Sequence, residues 1–239
     1  MADTVVFVPA WNEEASIGAV LGSVRARLPD VDLLVVDDGS TDGTAAVARG
    51  HGAEVLSLDG NRGLRIAIAA GYRWARDHEY AFCGRVDADG QHPPAELERL
   101  LELVRTDRCD VAIGSRFVSG PGYAEYRYRP SPSRRFGTAV LRRAVGVVLR
   151  RPFGDPTSGL WAVNAKALPL LADEFTSGAP EVEALIRVTD AGLRLEEVPV
   201  DMASRAEGES RLRGSKALKL VLTVTATLVG AAFVRSRRR

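Results

Sequence analysis

The amino-acid sequence predicts an α/β fold, a mostly parallel sheet covered by helices on both faces, and three observations carry that expectation. Runs rich in Val, Ile, Leu and Phe alternate with helix-like segments through most of the 239 residues. The runs are apolar almost without interruption, as in strands buried on both sides. Polar and acidic residues collect where the runs end, and in open parallel sheets ligands bind at the carboxyl ends of strands.

Element by element, "TVVFVP" reads as the first strand and "EEASIGAVLGSVRARL" as the helix returning from it. "DLLVVDD" is a second strand, and "TDGTAAVARGHG" a helix opened by Asp or Thr caps. There follow a strand "AEVLSL", a helix "LRIAIAAGYRWARDH" and a strand "YAFCGRVDAD". Pro94 suits the first turn of the next helix, "PAELERLLELVR", and "CDVAIGSRF" is the strand after it. The pattern then breaks into "VSGPGYAEYRYRPSPS", a loop rich in Pro, Gly, Ser and Tyr of the kind that forms a lid or an acceptor loop. A long helix, "RRFGTAVLRRAVGVVLR", carries arginine pairs at 134/135, 142/143 and 150/151, whose eight-residue spacing keeps them on one basic stripe. A turn into a short strand, "DPTSGLWAVN", a helix "PEVEALIRVTDAG" and a last strand "LRLEEVPV" complete the domain.

With 46% hydrophobic and 26% charged residues the composition is that of an ordinary globular chain. The opening "MADTVVFVPAWNEE" has no basic n-region and no long apolar h-region, so a cytoplasmic location is expected. Cys83 and Cys109 lack metal-ligand spacing and read as buried, reduced thiols. The net charge of +1 hides an asymmetry: residues 1–203 carry 23 Lys/Arg against 29 Asp/Glu, and residues 204–239 carry 9 against 2. A second basic zone lies inside the body, where Tyr126 to Gly154 holds eight arginines and no acid. Such clusters suit phosphate-rich partners.

The rim where the strands end carries the chemistry. Strand one ends in Pro9, Trp11, Asn12 and Glu13, strand two in Asp37, Asp38, Gly39 and Ser40, the fourth in Asp87 and Asp89, the fifth in Ser115 and Arg116. If the fourth strand runs through Asp89, its two acids share a face and repel unless a cation lies between them. A D-x-D of this kind suits Mg²⁺ or Mn²⁺ bridging to a diphosphate; alternatively, the pair caps the following helix. An EF-hand loop is excluded, because its sixth position is His92 and not Gly. Asp38 offers an acceptor to a ring N–H or a ribose hydroxyl, with Pro9, Trp11 and Glu13 walling the opposite side; Trp11 as a core aromatic is the competing reading. No G-x-G-x-x-G follows strand one, which argues against a dinucleotide-binding dehydrogenase.

Taken in order, "VVFVPAWNEEASIG", "LLVVDDGSTDGT", "NRG…AAG", "VDADGQHPP", "AIGSRF", "DPTSG", "EVEALIR", "EEVPV" and "RAEGESRL" resemble the family 2 glycosyltransferases of the GT-A fold. The resemblance is strongest to the branch of dolichol-phosphate mannose synthases and bacterial polyprenyl-phosphate glycosyltransferases. It implies inverting transfer of a sugar from a nucleotide-diphosphate donor of the GDP-mannose or UDP-glucose type. It also implies donor contacts at Pro9, Trp11, Glu13, Asp38, Asp87 and Ala88, and a metal held by Asp89 and Gln91 together with Asp87. Arg116, Arg134, Thr138 and Arg205 match positions that grip the acceptor phosphate, and Asp89, Arg116 and Arg205 would carry the transfer. Two departures stand out: Leu64, Arg65 and Ile66 are bulky where the family has small residues, and Arg211 replaces a Lys.

A phosphate monoester acceptor is largely dianionic near neutral pH and attacks without a general base, whereas a sugar or natural-product hydroxyl would need one, with Asp155, Glu181 or Glu183 as candidates. The arginine stripe favours the phosphate. A noncatalytic sugar-nucleotide-binding membrane subunit is the other class of reading. The expected division is a catalytic domain over 1–213 and a membrane-associating tail over 214–239. The tail's uncharged run Leu220–Val234 would span about 22 Å as a helix, short of the roughly 30 Å hydrocarbon core, so an interfacial helix peripheral on the inner membrane face is expected, with a helix docked on the catalytic domain, a dimer contact or a short snorkelled span as the rival readings. Expected partners are the nucleotide sugar, polyprenyl phosphate and the membrane surface, with no nucleic acid; self-association is left open.

Overall fold

Strand β1 (Thr4–Ala10) is buried at every position. Alternation along a strand sends Val5 and Phe7 into one core and Val6 and Val8 into another, so both faces must be apolar and the run is continuous. Around it, a computed structural model describes residues 2–118, 120 and 132–202. The remaining elements are α1 (Glu14–Arg27), β2 (Asp32–Asp37), α2 (Thr44–Gly50), β3 (Glu54–Ser57), α3 (Leu64–Asp77), β4 (Phe82–Arg85), α4 (Pro94–Arg105) and β5 (Val111–Ser115). They are followed by α5 (Pro132–Leu149), β6 (Trp161–Asn164), α6 (Leu168–Ala172), α7 (Pro180–Asp190) and β7 (Leu195–Pro199). The domain boundary at 213, Arg205, Arg211, the tail and most of the loop before α5 lie outside the described residues. Within α5 the side chains of Arg134 and Thr138 do so too.

The strands form one sheet in the order β3-β2-β1-β4-β6-β5-β7. All pairings are parallel except those of β6, which runs against both β4 and β5. On one face α3 presses so closely on β1 that a Cβ at Gly71 would come within 2.3 Å of the Phe7 ring. On the other face Ile17, Leu21 and Val24 of α1 join Leu97, Leu100 and Leu101 of α4. Pro9 is tolerated inside a central strand because pairing with β4 stops at Phe7↔Arg85. Val86 N–H donates to the Phe7 carbonyl and Asp38 N–H to that of Ala10, which places the missing Pro9 N–H on the β4 side, past the ladder's end.

Three expectations need correction. The fourth strand stops at Arg85, so Asp87 and Asp89 are not brought together by strand alternation; they sit on the loop that leads into α4. The short helix α6 was not read from the sequence. Arg151 leaves the basic stripe, because its Nη1 donates to the Leu195 carbonyl at 2.9 Å and ties the end of α5 to β7. Cys83 and Cys109 are buried free thiols, as expected. No helix among the described residues is long and apolar enough to cross a membrane.

Candidate active site

Because β1, β2, β4 and β5 run the same way, their carboxyl ends share one rim. The reversal of β6 brings its beginning, and with it Asp155 to Gly159, to that same rim. Five segments far apart in sequence therefore converge at one rim of the sheet.

On one side the loops after β1 and β2 are stitched to each other. Asn12, in the left-handed region at φ 53°, accepts from Thr41 N–H at 2.8 Å through its side chain, while its own N–H donates to Ser40 Oγ at 2.9 Å. Glu13 N–H donates to Thr44 Oγ1 at 2.8 Å, and the Glu13 carboxylate accepts from Ser16 Oγ at 3.0 Å. Trp11 is 39% exposed on this rim, which rules out its reading as a core aromatic and leaves an indole facing solvent at a strand end. Asp38 is buried, and its two oxygens accept the Arg62 and Gly63 N–H groups at 2.7 and 2.8 Å. It thus fixes the turn at Gly63, φ 91°, that opens α3. The bulky residues there do not crowd the rim: Leu64 is exposed, and Arg65 donates to the Phe175 carbonyl at 2.6 Å.

At the centre Asp87 is enclosed from several directions. Its N–H donates to His92 Nδ1 at 3.0 Å, which requires the buried imidazole to be unprotonated at that nitrogen; burial likewise lowers the His92 pKa. Arg85 Nη2 lies 3.4 Å from Asp87 Oδ1 and 2.9 Å from Glu181 Oε1. Burial would raise the Asp87 carboxyl, but the charge and hydrogen bond of Arg85 act against it and the group is held below its ordinary value. Gly159 makes room on the remaining side, since a Cβ there would stand 2.3 Å from Asp87 Oδ2. Ala88 is buried, and the Asp89 carboxylate accepts from the Gln91 backbone N–H at 3.1 Å, which ties the Asp89 side chain to the turn that carries Gln91.

Among the described residues no three His, Cys, Asp or Glu side chains form a closed metal cage. Mg²⁺ is commonly held by one or two carboxylates with the substrate's phosphates and water filling the other positions. The sparse, all-oxygen donor set of Asp87, Asp89 and Gln91 fits such a cation arriving with a diphosphate.

On the far side Arg116 and Asp155 form a fork-to-fork pair, Nε to Oδ2 at 2.6 Å and Nη2 to Oδ1 at 2.8 Å, with Arg116 N–H also on Oδ2. Asp155 is fully buried, and Glu197 accepts from Gly154 and Asp155 N–H to hold its backbone. Glu183 accepts from Thr176 and Ser177 N–H and pairs with Arg187 at 2.7 Å. Burial would raise its carboxyl, yet those backbone N–H groups keep it below the ordinary range. Arg142 lies over the Phe117 ring at 5.7 Å, so the stripe on α5 reaches the rim there. Arg85, His92, Gly159 and Glu197 were missed from the sequence. Arg85 left a signal, as a charge inside the apolar run "FCGRV", and Gly159 was present in "DPTSG" without a stated reason.

The family model described as Glycosyl transferase family 2 matches residues 5–168, well over half of the chain. The chain is a family 2 glycosyltransferase. Among curated relatives, this glycosyltransferase is 35% identical over 229 residues to an undecaprenyl-phosphate mannosyltransferase of Micrococcus luteus, covering 92% of each chain. It is 32% identical to a polyprenol monophosphomannose synthase of Mycolicibacterium smegmatis, over 89% of this chain and 82% of the relative. Its fold matches a crystal structure of glucosyl-3-phosphoglycerate synthase from Mycobacterium tuberculosis in complex with Mn²⁺, UDP and glucosyl-3-phosphoglycerate. The TM-score is 0.67 and the identity 26%, with 95% of this chain and 79% of that one covered. The expected GT-A fold is therefore correct.

Proposed function

We propose that this glycosyltransferase moves a mannosyl group from a nucleoside diphosphate donor to polyprenyl phosphate, with inversion, as a protein peripheral on the inner membrane face. The observation that carries the acceptor assignment is the engagement of every carboxylate considered as a base. Asp155 is buried in a bidentate pair with Arg116, Glu183 is capped by two backbone N–H groups and Arg187, and Glu181 pairs with buried Arg85. None is placed to take a proton from a hydroxyl. A phosphate monoester needs none: its oxygen forms the new bond to the anomeric carbon as the bond to the diphosphate breaks, and the nucleoside diphosphate leaves. The two mannosyl-transferring relatives support the same acceptor and the sugar.

In this reading Pro9, Trp11, Glu13, Asp38 and Ala88 surround the nucleotide, and Asp87, Asp89 and Gln91 hold Mg²⁺ or Mn²⁺. Bound there, the cation would neutralise charge developing on the departing diphosphate. Arg116, set by Asp155, faces the acceptor phosphate with Arg134, Thr138 and Arg205. Residues 214–239 hold the catalytic domain, residues 1–213, at the membrane.

The test is to incubate the full chain with Mn²⁺, polyprenyl phosphate and a panel of labelled sugar nucleotides including GDP-mannose and UDP-glucose. Mannose label entering the organic phase is the expected result. Label transferred only to hydroxyl acceptors, or nucleotide binding without turnover on any acceptor, would overturn the proposal.

A further inference from the structure

Arg85 has no place among the roles above, yet it is among the most deeply buried charges in the protein, with 2% exposure at the end of a central strand. Taking a guanidinium out of water costs several kcal/mol unless its partners are well arranged. Here they are arranged for something other than full satisfaction. A single nitrogen, Nη2, faces both Glu181 at 2.9 Å and Asp87 at 3.4 Å, while Nε is buried with no partner among the described residues. The neighbouring Tyr72 hydroxyl, close enough for its ionisation to feel Arg85, Glu181 and Asp87, is also buried and without a partner among the described residues. An apolar residue would serve the sheet better at this position, where Cys83 on the same face lies in the apolar core.

We infer that Arg85 is a positioning residue for the donor's diphosphate, working through Asp87. The inference rests on the proposed function. Glu181, at the start of α7, makes the shorter contact and fixes the guanidinium; the second N–H of Nη2 then sets the direction from which Asp87 is held. His92 on the Asp87 backbone and Gly159 against its oxygens bound the residue on two further sides, and the side chain stays open to the rim. Arg85 itself touches no substrate.

The experiment compares the full chain with its Arg85→Lys, Arg85→Met, Glu181→Gln and Arg85→Met/Glu181→Gln variants. It reads thermal midpoint, affinity for GDP and UDP with Mn²⁺ by calorimetry, and the KM of donor and acceptor separately. Arg85→Met leaves two acids facing each other, so both midpoint and nucleotide affinity should fall. The double variant removes one of those charges and should recover most of the midpoint, while nucleotide affinity stays about tenfold or more weaker and acceptor KM is unchanged. Nucleotide affinity returning together with the midpoint would overturn the inference, reducing Arg85 to charge balance. Should Arg85→Met not fold, Glu181→Gln decides: a raised donor KM with unchanged acceptor KM supports the inference, and an unchanged donor KM refutes it. Arg85→Lys keeps the charge without the bridging geometry and should stay impaired in donor KM; full function in it overturns the inference. Failure of the unaltered chain to bind either nucleotide would instead strike the functional reading on which the inference stands.

Discussion

Replacing Gly159 with Ala isolates the fit around Asp87. The new Cβ would stand 2.3, 2.6 and 2.7 Å from Asp87 Oδ2, Oδ1 and Cγ, where ordinary contact begins near 3.4 Å. The carboxylate must therefore retreat by about 1 Å, and a displacement of that size at a reacting centre costs about 100-fold in rate, or roughly 2.7 kcal/mol of transition-state stabilisation. Gly159 is not among the glycines with positive φ, so the backbone accepts Ala there without strain. The fold should consequently survive, with any loss of Arg85 contact partly offset by the lower entropy of the unfolded chain. The assay is kcat/KM for labelled mannose entering the organic phase, beside a thermal melt of the same preparation. A variant with unaltered kcat/KM would show that the position of Asp87 does not matter to transfer.

Asp89→Asn should retain the melting temperature and lose turnover by on the order of 10²–10³ in kcat, and full activity of the unaltered protein in EDTA would remove the metal role. Gly71→Ala drives a methyl into the Phe7 ring and should destabilise by about 1–3 kcal/mol, each kcal/mol lowering Tm by about 2–4 °C in a calorimetric scan. Asp110, at the opposite end of the sheet from the rim, accepts from Arg194, Asn164 and Lys166, and the Arg194 bonds above all hold its carboxyl far below the usual range. Its folded pKa is depressed, so its contribution is complete at neutral pH and should fade as pH falls below about 4. Asp110→Asn should cost about 2 kcal/mol at neutral pH and flatten that acid limb in melts taken across pH.

Much of the fold was legible because the strands are buried on both faces and their apolar runs stand out, as "TVVFVP" does at β1. The direction of β6 was not legible: the four residues Trp161–Asn164 are buried in any orientation, and it is the pairings with β4 and β5 that fix the reversal. The rim residues Trp11, Asp38, Asp87 and Asp89 could be found because strand ends in a parallel sheet fall on one side. What holds them could not. The Arg85–Glu181 and Arg116–Asp155 pairs join residues 96 and 39 positions apart, and nothing local to either member announces its partner. Asp155 and Glu183 looked like bases for that reason, as isolated acids beside a site, until their partners were in view. The reach of β4 was overestimated because "VDAD" alternates apolar and polar residues as a strand does, although pairing with β1 and β6 ends at Arg85.

The pairing of Arg116 with Asp155 also bears on how such enzymes diversify. β5 ends at Ser115 and β6 begins at Trp161 beside it, so the chain between leaves the sheet and comes back at nearly the same point, where one ion pair clasps its two feet. The clasp fixes where that excursion leaves and rejoins the sheet, and so separates the strand register beneath from the chain between. Grafting residues 117–154 from a relative, with Arg116 and Asp155 left in place, would ask whether that excursion bears on the choice of acceptor proposed above.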